Sequence, residues 1–146
     1  MTYMKTEHLH DIWSSPDNSR LTSKQLSFRL PVHLAAKIAA LCEMYPTKNR
    51  TQIVADLLAA ALDSLEKSLP EELGGRLSGS DERDARMIAD HLGEEYVPMH
   101  YLIGERVRFR NLANKHYEEM EKELGNDSPA LLYKPILVDE DYFKRK

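Results

Sequence analysis

Three polar side chains at alternate positions, Gln25, Ser27 and Arg29, carry the clearest chemical signal in this sequence. An arginine can donate two hydrogen bonds to guanine, a glutamine can form a similar pair of bonds with adenine, and a serine can bond to several bases. Side chains two residues apart lie on the same face of a β-strand, so we expect these three to point the same way. Such a face offers groups suited to the edges of DNA bases.

The apolar residues between these positions predict the strand itself. Leu26, Phe28 and Leu30 alternate with the polar residues and form the opposite face of the strand. A single strand leaves its backbone groups without partners, and no neighbouring segment alternates as cleanly. We therefore expect this strand to pair with the same strand of a second copy of the chain.

Two helices are predicted directly after the strand. Pro31 suits the first turn of the first helix, which ends at Pro46. Asn49 is a good N-cap for the second helix, with Gln52 three residues later as its capping-box partner. One strand and two helices within about 45 residues cannot enclose a core in one chain. We therefore expect a homodimer with a core that contains Leu26, Phe28, Leu30, Ile38, Ile53, Leu57, Leu58 and Leu62.

The composition predicts three further segments around this domain, which spans residues 21–66. Residues 1–20 contain several residues that break regular structure and are predicted to be a mobile arm. Residues 67–80 are rich in glycine, proline and serine and are predicted to be a linker. Residues 81–146 are predicted to be a helical C-terminal region of unknown role. Its longer helix is expected to begin at Pro98 or Met99 and to end at Leu124, and no structure is assigned to its last residues.

Charge and cysteine content narrow the classes of function. The net charge is −4, but residues 20–67 hold seven basic and four acidic groups, whereas residues 68–146 hold twelve basic and seventeen acidic groups. This asymmetry indicates that a DNA contact would be confined to the middle of the chain. The single cysteine excludes an intrachain disulfide and a zinc finger. No apolar run is long enough to predict a membrane span, and no signal-peptide pattern is present, so a cytoplasmic protein is expected.

One stretch of the chain resembles the ribbon-helix-helix family of DNA-binding proteins, the group that includes Arc, MetJ and CopG. The stretch is LSFRLPVHLAAKIAALCEMYPTKNRTQIVADLLAAALDSLEK. The similarity covers the alternating strand, the Leu-Pro entry to the first helix and the Asn-Arg-Thr opening of the second. It departs from the family where the turn between the helices has Tyr-Pro-Thr-Lys in place of the common glycine.

The resemblance implies a mainly helical homodimer in which two strands form a ribbon in the DNA major groove. Base contacts would then come from Gln25, Ser27 and Arg29. The start of the second helix would bind a DNA phosphate, and nearby lysines would add salt-dependent attraction. The residues expected at phosphates are Lys24, Lys48, Asn49, Arg50 and Thr51.

These features together predict a sequence-specific transcriptional regulator that needs no cofactor. The sequence has no P-loop, nucleotide-binding glycine motif, HExxH motif or serine elbow, so neither an enzyme nor catalytic residues are expected. His8, His10 and Asp11 have metal-like spacing, but they lie in the predicted arm, and no metal site is expected. Two alternatives are an antitoxin of a toxin–antitoxin pair and a dimerisation module that binds no DNA. The C-terminal region is a candidate site for a ligand, a protein partner or the assembly of dimers.

Overall fold

The computed structural model describes residues 6, 9–10, 21–22 and 24–145. This part of the chain is mainly helical, as predicted, and contains a small three-stranded antiparallel sheet. The chain divides into two compact units. Unit 1 comprises Met1–Ser68 and His116–Ala130, and unit 2 comprises Leu69–Lys115 and Leu131–Lys146.

Unit 1 contains the two helices that the sequence predicts after Pro31. Helix α1 spans Val32–Met44 and α2 spans Arg50–Ser68. The carbonyl oxygen of Pro31 accepts hydrogen bonds from the N–H groups of Leu34 and Ala35, at 3.1 Å each, so this proline caps α1 rather than lying in its first turn. Both predicted helices are confirmed, and residues next to them in the sequence determine where they begin and end.

The turn between α1 and α2 explains why no glycine is needed there. The N–H of Lys48 donates to the carbonyl oxygen of Tyr45 at 3.1 Å, which closes a β-turn with Pro46 at its second position. Proline has the backbone angle that this position of common turns requires. Positive φ angles occur only at glycines among the described residues. This turn therefore forms without a glycine.

A small apolar core holds α1 and α2 together. Leu9, Ile53 and Ala60 are buried, and side chains including Leu41 and Leu57 pack against them. Leu9 belongs to the segment predicted as a mobile arm. Most of that segment lies outside the described residues, so its mobility stays a prediction, but Leu9 itself has a fixed place in the core.

Residues 24–30, predicted as a strand, belong to no helix or strand in the single chain. A strand is defined by hydrogen bonds to a neighbouring strand, and this segment has no such neighbour within the described part of the chain. The ribbon of two copies therefore stays a prediction.

Unit 2 corrects the prediction of a linker at residues 67–80. Helix α2 continues to Ser68, and strand β1 spans Glu72–Arg76. Gly74 and Gly75 together lie opposite Tyr101 of the next strand, which makes a β-bulge. A Cβ at Gly74 would lie 2.7 Å from the carbonyl oxygen of Tyr101, so a glycine is required there. The two glycines therefore allow close strand pairing and are not signs of a flexible link.

Residues 81–146, predicted to be a helical C-terminal region, also contain two strands. Helix α3 spans Gly79–His91 and ends near Gly93 as predicted, and β2 spans His100–Ile103. Helix α4 spans Glu105–Glu123, with residues 105–115 in unit 2 and residues 116–123 in unit 1. It is followed by β3 at Leu137–Val138 and a 3₁₀ turn at Tyr142–Arg145. The sheet order is β1-β2-β3, with both pairs antiparallel.

Gly104 ends β2 and allows α4 to begin, where the sequence suggested a continuous helix. Its φ angle is 109°, and a Cβ there would lie 2.8 Å from the carbonyl oxygen of Pro70. The same carbonyl accepts a hydrogen bond from the N–H of Arg106, and the Arg106 side chain forms an ion pair with Glu71 at 2.6 Å. These contacts fix the start of α4 to the start of β1.

Candidate nucleic-acid interface

The three side chains predicted to contact bases are all exposed on residues 24–30. Gln25, Ser27 and Arg29 lie in solvent, each next to an apolar neighbour. Those apolar neighbours are exposed as well, since Leu26 retains 73% of its accessible surface and Phe28 retains 74%. The segment therefore presents both its polar and its apolar side chains to solvent in the single chain.

A second uncovered apolar row lies on α2. Leu58, Leu62 and Leu65 are four and three residues apart, which places them on one side of the helix, and each is about half exposed. We call these three residues, together with Leu26, Phe28 and Leu30, the uncovered apolar surface. Large apolar side chains that lie together on a surface are typical of an interaction site, whereas scattered ones are ordinary.

The other three residues of the predicted dimer core, Ile38, Ile53 and Leu57, are less exposed than the uncovered apolar surface. Ile53 is fully buried within the single chain, whereas Ile38 and Leu57 are half-buried. Ile53 has no surface left for a second copy to cover, so its place is in the core of the chain itself. The buried side of α2 also carries acidic residues that the sequence analysis did not foresee, namely Asp56, Asp63 and Glu66.

The start of α2 is capped by a reciprocal pair of hydrogen bonds. The N–H of Gln52 donates to Oδ1 of Asn49 at 2.8 Å, and the N–H of Asn49 donates to Oε1 of Gln52 at 3.1 Å. This reciprocal pair is the predicted capping box. The cap fixes the first turn, in which Arg50 and Thr51 are exposed. Their backbone N–H groups lie at the positive end of the helix dipole, where a phosphate is favoured.

The two predicted phosphate-binding lysines differ in their surroundings. Lys24 forms an ion pair with Glu123 at the end of α4, with 3.3 Å between Nζ and Oε1. Both side chains are largely exposed, so water and salt weaken this pair. Lys48 is half-buried in the turn before α2. The acidic run to which Glu123 belongs looks in the sequence like a solvated helix face, so the contact with Lys24 was not foreseen.

The described residues were also searched for a metal site and for a membrane-spanning helix. His10 Nδ1 lies 2.6 Å from the Tyr45 hydroxyl, whereas His8 and Asp11 fall outside the described residues. No group of three or more metal-ligating side chains occurs in the described ranges. The helices of those same ranges are also too short or too polar to cross a membrane.

The interface thus combines an exposed polar row, a capped helix start and basic side chains on unit 1. A scan against protein-family models, a search of curated proteins and a search of solved structures each found no match to this chain.

Proposed function

We propose that two copies of this chain form a ribbon-helix-helix dimer that binds double-stranded DNA in a sequence-specific manner and regulates transcription. The observation that carries the proposal is the alternation of exposed side chains on residues 24–30, where an apolar row and a polar row both face solvent. Pairing with a second copy buries the apolar row and leaves the polar row outside. A two-stranded ribbon with an exposed polar face fits the DNA major groove.

The uncovered apolar surface gives the dimer its driving force. Full burial of a large apolar side chain is worth about 1.5–3 kcal/mol relative to full exposure. Association of two chains costs about 4–15 kcal/mol in lost freedom of motion. Each copy contributes six large apolar side chains that are about half to three-quarters exposed, so their burial is of the size needed to offset this cost.

Each residue of the polar interface has a separate task in this proposal. Gln25, Ser27 and Arg29 supply hydrogen-bonding groups for base edges, which carry the sequence information. Arg50 and the first N–H groups of α2 hold a phosphate, which positions the dimer on the duplex without sequence preference. Lys24 adds attraction to the backbone when a phosphate displaces Glu123 from it.

Two arginine variants separate base contact from phosphate contact. Arg29→Ala should lose about 1–3 kcal/mol on the preferred duplex and much less on random DNA, because a base contact depends on sequence. Arg50→Ala should weaken binding to both duplexes similarly and lower the salt dependence by about one unit of slope. The measurement is fluorescence anisotropy with both duplexes across a salt series. Arg83→Ala, which removes an exposed arginine from α3 of unit 2, is the matched control and should leave binding unchanged.

The outcomes also test the alternative of a dimerisation module. If Arg29→Ala weakens both duplexes equally, the base-contact assignment is wrong. If the folded wild-type protein binds neither duplex at low salt, the DNA-binding proposal is wrong and a dimerisation module without DNA binding is favoured.

A further inference from the structure

Unit 2 contains a cavity of about 560 Å³. This volume is within the range of about 300–1,000 Å³ that is common for small-molecule sites. The sheet region contributes Leu77 and Leu102, α3 and α4 contribute one side each, and residues 133–137 complete the wall. All the lining residues belong to unit 2.

The helix faces that line this cavity are more polar than a simple core requires. On α3 the lining positions are 81, 84, 85 and 88, and on α4 they are 107, 110, 111 and 114. Both sets follow the spacing of a single helix face, which in a packed core is apolar. Here five of these eight lining positions are polar or charged, namely Asp81, Asp84, Arg110, Asn111 and Asn114; the two aspartates and Asn111 are exposed, and the other two are half-buried.

Some of the polar groups build the cavity wall. Asn114 holds the backbone of Tyr133 with two hydrogen bonds, of 2.9 Å from its Nδ2 and 2.8 Å to its Oδ1. The guanidinium of Arg110 lies 5.4 Å from the centre of the Tyr133 ring. The Tyr101 hydroxyl donates to the Asp81 carboxylate, a hydrogen bond that raises the pKa of Tyr101. These contacts fix the terminal segment and one edge of the cavity.

Three other polar side chains on the lining take no part in this wall. The side chains of Asp84, Asn111 and Lys134 are exposed and form no hydrogen bond or ion pair with another residue in the part of the chain that the structure describes. They offer a carboxylate, an amide and an ammonium group at the rim of a space whose lining also contains Asp81, Arg110 and Asn114. The lining as a whole carries two acidic and two basic groups, so it favours a ligand that is neutral overall but carries both charges.

We propose that this cavity binds a small zwitterion with an apolar body, of amino-acid to dipeptide size. Asp84 pairs with the ligand's amine, and Lys134 and Asn111 bind its carboxylate. The apolar body packs against side chains such as Ile88, Val107 and Leu137, which line the same space. This site is independent of the DNA-binding proposal, because every residue in it belongs to unit 2.

Calorimetric titration of the full-length protein tests the proposal with ligands that differ only in charge. The probes are L-phenylalanine and L-leucyl-L-leucine, each also with its amine acetylated or with its carboxylate converted to an amide. At least one of the two zwitterions should bind. Each blocked form should bind about tenfold more weakly, because a hydrogen bond to a charged group is lost. If neither zwitterion binds at millimolar concentration, or if blocked forms bind equally well, the proposal is wrong.

Matched variants then assign each end of the ligand. In Asp84→Asn, acetylation of the amine should cause no further loss of affinity, and in Lys134→Gln the same should hold for the amide form. Asp90→Asn on α3 and Lys115→Gln on α4 remove the same charges from helix positions outside the lining and should bind like wild type. Equal weakening by the lining variants and by these controls would mean that net charge governs binding, and it would overturn the assignment of the cavity.

Discussion

The two units of this chain differ in how far the extended segments of one copy pair with each other. In unit 2, three strands pair with each other within the chain, and Leu77, Leu102 and Val138 are buried beside them. In unit 1, residues 24–30 have no strand partner in the described part of the chain, and Phe28 is three-quarters exposed. Large apolar side chains remain exposed in both units, so the difference lies in strand pairing: unit 2 pairs its three strands within the chain, and residues 24–30 have no pairing strand there. The proposed self-association therefore uses residues 24–30 of unit 1.

The local sequences of the two units show why they differ. Residues 24–30 alternate without interruption, so two identical copies can pair along a regular ribbon with every apolar side chain on one face. Strand β1 instead contains Gly74 and Gly75, whose bulge fits only the particular carbonyl of Tyr101 opposite. A regular segment suits pairing with its own copy, and an irregular one is specific for a single partner strand.

The largest effect is expected from removing an apolar ring from the surface that we propose a second copy covers. Phe28→Ala should cost the dimer about 3–5 kcal/mol for each buried ring. Sedimentation equilibrium and the circular dichroism melt should show dissociation together with loss of helix. Met87→Ala, which removes an equally exposed apolar side chain from α3 of unit 2, should leave the dimer intact. A folded Phe28→Ala dimer with wild-type affinity would contradict the comparison.

An intermediate effect is expected in unit 2 from filling the close contact at the bulge. Gly74→Ala places a Cβ against the Tyr101 carbonyl and should destabilise unit 2 by about 1–3 kcal/mol. Gly75→Ala is the matched control, because a Cβ there meets nothing within 4 Å. Urea unfolding measures both variants, and the dimer of unit 1 should persist in both. Equal stability of the two variants would show that β1 is not paired as described.

A smaller effect is expected from the cap at the start of α2. Asn49→Ala removes the acceptor for the Gln52 N–H and should cost about 0.5–2 kcal/mol, whereas Asn49→Gly should cost only a few tenths. Thermal unfolding of the two variants measures the difference. Equal losses would mean that the side-chain hydrogen bond contributes little to the stability of α2.

The parts of the fold that sequence predicted are those set by neighbouring residues. Helix α1 follows from Pro31 and Pro46, and the start of α2 follows from Asn49 and Gln52, since these signals act within one turn. Strands β1 and β2 were missed because their pairing joins Glu72 to Ile103, far along the chain. The spacing of apolar residues within one segment does not reveal such a pairing. In the sequence, the glycines that permit it look like linker residues.

The polar row on residues 24–30 could be predicted and the cavity could not, again because sequence patterns record only relations between neighbouring residues. The polar row on residues 24–30 follows from strict alternation, which is visible in the sequence. The burial of Asp56, Asp63 and Glu66 was missed, because the alanine- and leucine-rich α2 has apolar residues on more than one side. The cavity was missed because it joins α3, α4 and residues 133–137, which meet only in the folded unit.

Selection of bound sequences from a pool of random duplexes tests the central claim most directly. If unit 1 is completed by a second copy, each half of the ribbon presents Gln25, Ser27 and Arg29 to its own half-site. The account therefore predicts an enriched motif with two-fold symmetry, because the binding site mirrors the symmetry of the dimer. The guanine preference within each half-site should disappear in the pool selected by Arg29→Ala. No enrichment by the folded protein, or an enriched motif that is unchanged by Arg29→Ala, would contradict the account.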